Sequence, residues 1–379
     1  MKRVLVAMSG GVDSSVAAAL LVEQGYQVIG ATMQVWDYSE CELTPGQGTC
    51  CSSLDVEDAR SVANKLGIPF YVINCEQEFA EKVINPFVES YIKGETPLPC
   101  SHCNTFLKFD HLVEKMKELD CDFIATGHYA QINRADNETY KLVLSQDSWK
   151  DQSYFLFTLS GQLLPKILFP VGGYDKTEVR KMAEARGLCV AKKPDSTGIC
   201  FVGNGDYSAF VESQISQQTH KLSIGEFKRI TNKKSMGQHK GIHHYTVGQS
   251  RGLGLSHHEK LFVVYINPVS KTVWLGDEKD LYWDKMIVTQ INWIGREVKD
   301  SEKIIVKIRS THKGAEAYLT YLDGKLDKAL IQFIEPQRAI TPGQAAVFYN
   351  GQELLGGGWI SLDPSFLDKL KEGGELCQI

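Results

Sequence analysis

An α/β fold that opens on a parallel sheet, followed by a small linking domain and a β-barrel-like domain, is the fold class this 379-residue sequence predicts. Three observations carry it. Strand and helix patterns alternate down to about Phe201. A glycine turn stands directly between the first strand and the first helix. The character changes after about Phe201, and from His220 onward the chain is rich in β-branched and aromatic residues, in short alternating runs broken by Gly or Asn turns.

Arg3 to Met8 is a short apolar run, followed by the turn and a helix from about Ser14 to Gln24. Gln27 to Met33 reads as a second buried strand. The loop from Tyr38 to Ser53 is too polar and irregular for core. Ser53 suits the cap of a helix whose Ala59, Val62, Ala63 and Leu66 share one face, ending at Gly67. Pro69 to Asn74 is a third strand. A helix beginning near Thr105 and carrying Phe109, Leu112, Val113 and Met116 precedes a strand at Phe123 to Thr126, and another helix runs from Asp175 to Gly187. Such repeats imply a parallel sheet covered on both faces, with ligands at the carboxyl ends of its strands. LFVVYIN (261–267), KTVWLGD (271–277) and KIIVKIRS (303–310) read as strands of the later part. The expected division is 1–201, 202–280 and 281–379.

Composition narrows the class. Hydrophobic residues make up 43% and charged residues 23%, as in ordinary globular proteins. No apolar run approaches the ~20 residues of a membrane span, and Val4 to Met8 is too short for a signal-peptide core. A cytoplasmic protein is expected. The ten cysteines, at 41, 50, 51, 75, 100, 103, 121, 189, 200 and 377, are therefore expected to be mostly buried apolar filler. A net charge of −5 argues against a uniformly basic coat. Between Thr219 and Lys260, however, eight Lys or Arg face two acids, and six of the ten histidines fall there, which suits an RNA-facing surface.

The run AMSGGVDSS, Ala7 to Ser15, forms the glycine turn. Gly10 and Gly11 let backbone approach a ligand closely, Ser9, Ser14 and Ser15 supply hydroxyls, and the following helix adds free N–H groups. A Walker A loop would end in Gly-Lys-Ser/Thr, and a dinucleotide fingerprint would read G-x-G-x-x-G; neither is present. Asp13 is the odd member of an anion site. It caps the helix or holds a Mg²⁺ riding on the phosphates.

This loop resembles the pyrophosphate-binding loop of the ATP pyrophosphatase (PP-loop) superfamily, which implies ATP and adenylation as a first step. With PCSHCNTFLKF (99–109), ATGHYA (125–130), KDQSYFL (150–156), DSTGICFVG (195–203) and GQSRGLG (248–254), the chain resembles the bacterial tRNA-specific 2-thiouridylases over essentially its whole length. The resemblance implies a Rossmann-like sheet of the PP-loop type. The implied activity is adenylation of the C2 oxygen of wobble uridine, then its replacement by sulfur from a cysteine persulfide. It implies ATP contacts at Ala7, Met8, Ser9, Gly10, Gly11, Val12, Asp13, Ser14, Met33 and Gly127. Contacts with tRNA are implied for Leu98, Pro99, Cys100, His128, Lys150, Asp151, Gln152, Arg309, Ser310 and Gln344. Cys103 is the implied nucleophile, Cys200 the persulfide carrier, and the two form a transient disulfide. The implied partners are tRNAs for Lys, Glu and Gln and a sulfur donor, either a relay protein or a cysteine desulfurase. Mg²⁺ is expected with ATP, and no permanently bound metal.

The residues themselves leave alternatives open. Cys103 precedes the expected helix start, with Lys108 one turn on, and Cys200 lies in a Gly-rich loop near Asp195 and Ser196; both placements suit reactive thiols. A structural zinc wants four ligands, and only the pair Cys100 and Cys103 has the right spacing. Cys100, Cys103 and Cys200 would also suit a labile iron–sulfur cluster, and a non-catalytic RNA-binding protein is a third possibility. The chain departs from the family in reading Leu98-Pro99-Cys100 where Asn-Pro-Asp is frequent. Ser310 stands where an aromatic residue is common, and Ser250 where a basic one is.

Overall fold

A computed structural model describes residues 1–36, 53–135, 139–195, 198–202, 205–216, 224–255 and 260–361. Cys41, Cys50, Cys51, Ser196 and Cys377 lie outside them. The first sheet is parallel throughout and is formed by β1 (Arg3–Ala7), β2 (Gln27–Gln34), β3 (Phe70–Asn74) and β4 (Phe123–Ala125), together with Ile167–Leu168. Its order is β3-β2-β1-β4 and then Ile167–Leu168, so the order of strand addition reverses between β1 and β4 while all strands stay parallel. That reversal opens a crevice beyond their carboxyl ends. Helix α1 (Val12–Glu23) has Val16, Ala17 and Ala18 fully buried, because it lies on the sheet and under the helix Lys176–Ala185.

The helix carrying Cys103 starts earlier than its periodicity suggests. Pro99 occupies the first turn of Pro99–His102, which continues through a π-helical stretch, Cys103–Phe109, into Asp110–Glu118. Proline is at home there because its missing N–H would be unpaired in any case. Cys103 is therefore inside the helix rather than ahead of it, and the exposed Cys100 sits in its first turn. A second helical run absent from the sequence reading, Glu76–Phe79 to Asn85–Ile92, also passes through a π-helical turn.

The middle sheet comprises Gly225–Arg229, Ser235–His239, Phe262–Asn267 and Thr272–Gly276. The last part is a closed barrel. Tyr282–Trp293 pairs with both Lys328–Arg338 and Glu353–Ser361, completing a ring with Ala315–Tyr321, Glu302–Lys307 and Ala345–Asn350. Closure leaves no free edge, and Val288, Val306, Leu319, Ile331 and Phe348 fill the interior with no exposed surface.

The barrel grips the first sheet's domain directly. The hairpin Gln131–Arg134 and Tyr140–Val143, which alternation did not reveal, joins the barrel strand Glu353–Ser361 through Val143 and Glu353. Asn292 Nδ2 donates to the carbonyls of Phe157 (2.8 Å) and Leu159 (2.9 Å). Phe109, Leu156 and Phe157 share one apolar cluster with Ile294, Val347 and Leu354.

Candidate active site

A cleft of about 310 Å³ opens beyond the carboxyl ends of β1, β2 and β4. Ala7, Met8, Ser9, Gly11, Val12, Asp13, Ser14, Met33 and Gly127 all line it, and so do His128, Lys150 and Gln152. Two glycines make the close fit possible. Gly10 has a φ of +68°, and a Cβ there would lie 2.1 Å from the Asp55 carbonyl oxygen. A Cβ on Gly127 would lie 2.5 Å from the Ser14 nitrogen, so the loop after β4 can press on the glycine turn only without a side chain. Gly11 caps α1 without a side-chain hydrogen bond, leaving the helix amides directed at the cleft.

Charge is arranged in two layers. Asp13 does not cap α1. Its carboxylate accepts from Lys176 Nζ at 2.7 and 2.8 Å and from the Tyr129 hydroxyl at 2.9 Å. Lys176 also reaches Asp195 at 2.8 Å, and Asp195 further pairs with Lys150 and Arg180, each at 2.7 Å. Burial alone would raise the Asp195 carboxyl, but hydrogen bonds from Lys150 and Lys176 outweigh it and bring the group to about 2. On the far side, Lys193 holds the Gly10 carbonyl at 3.0 Å and pairs with Asp55 and Asp58. Burial, then neighbouring Lys108, holds His128 down to about 3, and its Nδ1 pairs with the Thr126 hydroxyl at 2.8 Å. Burial thus favours the neutral ring, which lines the cleft.

The cysteines have a different setting. Cys103 and Cys200 are both half-buried, and both pack against one apolar cluster that includes Cys75, Phe79, Val83 and Phe87. Phe201, next to Cys200, meets Phe87 at 5.1 Å and Phe79 at 5.5 Å between ring centres. Burial pushes the Cys75 thiol up to about 12, which makes it inert filler as expected. Cys189, expected to be buried, is exposed.

Three family models match in succession: a tRNA methyl transferase HUP domain over residues 2–204, a tRNA methyl transferase PRC-barrel domain over 209–277, and an aminomethyltransferase beta-barrel domain over 283–360. The chain is 46% identical to the tRNA-specific 2-thiouridylase MnmA of Geobacter metallireducens, covering 95% of this chain and 96% of that one. It is 45% identical to the protein of that name from Rickettsia typhi and 46% to that from Acetivibrio thermocellus, each over 95% of this chain and 99% of the relative. The chain belongs to the tRNA-specific 2-thiouridylase family.

Other expected contact residues divide by what holds them. Lys150 and Gln152 face the cleft, but Gln152 Oε1 is occupied by the Tyr129 amide at 2.9 Å. Asp151 turns inward, accepting from the Ser145 amide at 3.0 Å and the Ser153 hydroxyl at 2.7 Å. Gln344 donates to the carbonyls of Thr96 (2.9 Å) and Pro97 (3.3 Å), so it steadies the chain leading into Leu98, Pro99 and Cys100. Arg309 bonds the Arg338 carbonyl at 3.2 Å, and Ser310 is exposed. In the basic segment Lys233 and Lys234 are exposed at a strand turn, whereas His239 and His243 are buried and do not face outward. Sequence reasoning missed Tyr129, Lys176, Arg180 and Lys193. Lysines beyond the motifs carry no local signal, since Lys176 meets Asp13 across 163 positions and Lys193 meets Gly10 across 183.

Proposed function

We propose that the chain is an ATP-dependent tRNA sulfurtransferase that converts wobble uridine to 2-thiouridine. The observation that carries this reading is the pairing of a phosphate-shaped cleft with two cysteines packed on one apolar cluster. Glycine-turn amides at the start of α1, with Lys150 beside them, suit the phosphates of ATP, and Met33 and Gly127 suit the adenine side. Asp13 is the residue that would hold the accompanying Mg²⁺, which supplies charge neutralisation; to do so it must exchange Lys176 for the ion.

The uridine C2 oxygen attacks the α-phosphorus of ATP, expelling pyrophosphate and leaving AMP on that oxygen. A donor protein loads Cys200 with a persulfide sulfur. Cys103 thiolate attacks the Cys200 sulfur, forming a Cys103–Cys200 disulfide and releasing hydrosulfide. Hydrosulfide adds to C2 and AMP departs, after which a cellular thiol reduces the disulfide. The middle sheet and barrel, residues 202–280 and 281–379, position the tRNA. Among the described residues no helix is long and apolar enough to cross a membrane. The substrates in this reading are the tRNAs for Lys, Glu and Gln, met in the cytoplasm.

Nucleoside mass analysis of tRNA from cells carrying wild type, Cys103→Ser or Cys200→Ser tests this. Both substitutions abolish 2-thiouridine and leave ATP binding nearly intact. Full thiolation by Cys200→Ser would sink the persulfide assignment.

A further inference from the structure

His243 and His244 are consecutive, yet a 3₁₀ turn, Ile242–His244, aims both imidazoles at one carboxylate. Glu212 Oε1 lies 3.2 Å from His243 Nε2 and 3.1 Å from His244 Nε2. Among the described residues this is the one group of three metal-ligating side chains that converge, with all three ligand atoms within 4.8 Å of one another.

An ordinary carboxylate–histidine hydrogen bond accounts for only one of the rings. His243 Nε2 makes that bond. His244 Nε2 is shut off from solvent and has no hydrogen-bond partner despite its closeness to Glu212. An unsatisfied buried nitrogen costs about 1–3 kcal/mol. Protonating both rings is no remedy, because their centres are 4.1 Å apart and like charges repel. One cation among the three atoms satisfies all of them.

The local backbone supports the arrangement. A Cβ on Gly241 would lie 2.4 Å from Cε1 of the His243 ring, so glycine there lets the buried ring fold back over the turn. The Tyr207 hydroxyl donates to the His244 carbonyl at 3.2 Å, tying the turn to the helix Tyr207–Ser216 that carries Glu212. Two imidazole nitrogens and one carboxylate oxygen suit zinc-like ions, whereas Ca²⁺ and Mg²⁺ prefer oxygen alone. Ligands at about 2.0–2.1 Å around a tetrahedral ion stand about 3.3 Å apart. Two of the three edges are already close to that, and the half-exposed Glu212 leaves room for water as a fourth ligand.

We propose that Glu212, His243 and His244 bind one divalent transition-metal ion, zinc by preference, which staples the helix after Cys200 to the middle sheet. That helix buries Val211 and Ile215 in the cluster against which Cys103 and Cys200 pack, so the staple steadies one wall of the sulfur-transfer region.

Cobalt(II) titration of the metal-stripped full-length protein, followed by visible spectroscopy and zinc displacement, tests the site. Wild type takes up one equivalent, with d–d bands and no thiolate charge transfer, and a Cys103→Ser/Cys200→Ser variant behaves alike. Glu212→Ala and His244→Ala each weaken binding by at least about a hundredfold. Zinc raises the melting temperature of wild type but not of either variant, while the metal-free melting temperatures of the variants show that they fold. The proposal is overturned by absent binding in wild type, by unchanged affinity in Glu212→Ala and His244→Ala, or by thiolate bands that vanish only with the cysteine substitutions.

Discussion

The nucleotide end of the site and its cysteine end are built from opposite materials. Around the glycine turn, backbone approaches backbone, and every charged side chain described there has a fixed counterpart: Asp13 with Lys176, Asp195 with Lys150 and Arg180, Lys193 with Asp55. Around Cys103 and Cys200 the contacts are aromatic and aliphatic, made by Phe79, Phe87 and Phe201. Hydrogen bonds and ion pairs fix direction, which suits the phosphate binding proposed for this end. Apolar packing is non-directional and tolerates sliding, which suits the thiol exchange proposed for the other. The π-helical stretch that begins at Cys103 belongs to the same side, and such stretches interrupt regular helix geometry at functional positions.

The contrast can be broken most forcefully at Gly127. Adding a methyl in Gly127→Ala drives a carbon into the Ser14 amide. ATP affinity measured by calorimetry should fall on the order of a hundredfold, equal to about 2.7 kcal/mol, with persulfide loading on Cys200 unaffected. Equal ATP affinity would mean that the turn yields, and that the nucleotide end is not rigid. Phe201→Ala is the converse probe. Losing the ring that packs on Phe79 and Phe87 should slow single-turnover sulfur transfer by about tenfold while pyrophosphate release is unchanged. A matching fall in both steps would erase the division between the two ends.

The smallest effect concerns acid stability. Asp195 is depressed in the folded state, from an ordinary 3.8 to about 2. Its contribution to stability is therefore present above about pH 4 and fades as pH falls toward 2. Denaturant midpoints followed across that window should drop less steeply for Asp195→Asn than for wild type. Parallel acid limbs would show that the three cations around Asp195 do not stabilise the fold through it.

How much of this was legible beforehand depended on whether the signal was local. The glycine turn could be read because a strand, a turn and a helix start carry their own spacing, whereas Met33 and Gly127 came only from the family resemblance; both line the cleft beside the turn. The start of the helix at Pro99 was misjudged because the apolar period begins only near Phe109, whereas a proline in the first turn has no period at all. The resemblance implies tRNA contacts for Asp151 and Gln344, and it carried no sign of the hydrogen bonds that tie them to Ser145, Ser153, Thr96 and Pro97. The local excess of basic residues and histidines said nothing about which side chains turn inward, and His239 and His243 are buried.

By itself the sequence determined the order of the parts, the parallel sheet, the shift to β structure after about His220 and the glycine turn. Each follows from periodicity or from residues within one turn of each other. Only the tertiary structure decided which charges meet. Lys176 reaches Asp13 across 163 positions and Lys193 reaches Gly10 across 183, separations over which chain order says nothing about proximity. The same holds for the hairpin that joins the barrel, and for the cysteines of "PCSHC" and "TGIC", which the fold brings to a single apolar cluster. Packing around a common core sets those distances, and packing is a property of the whole chain.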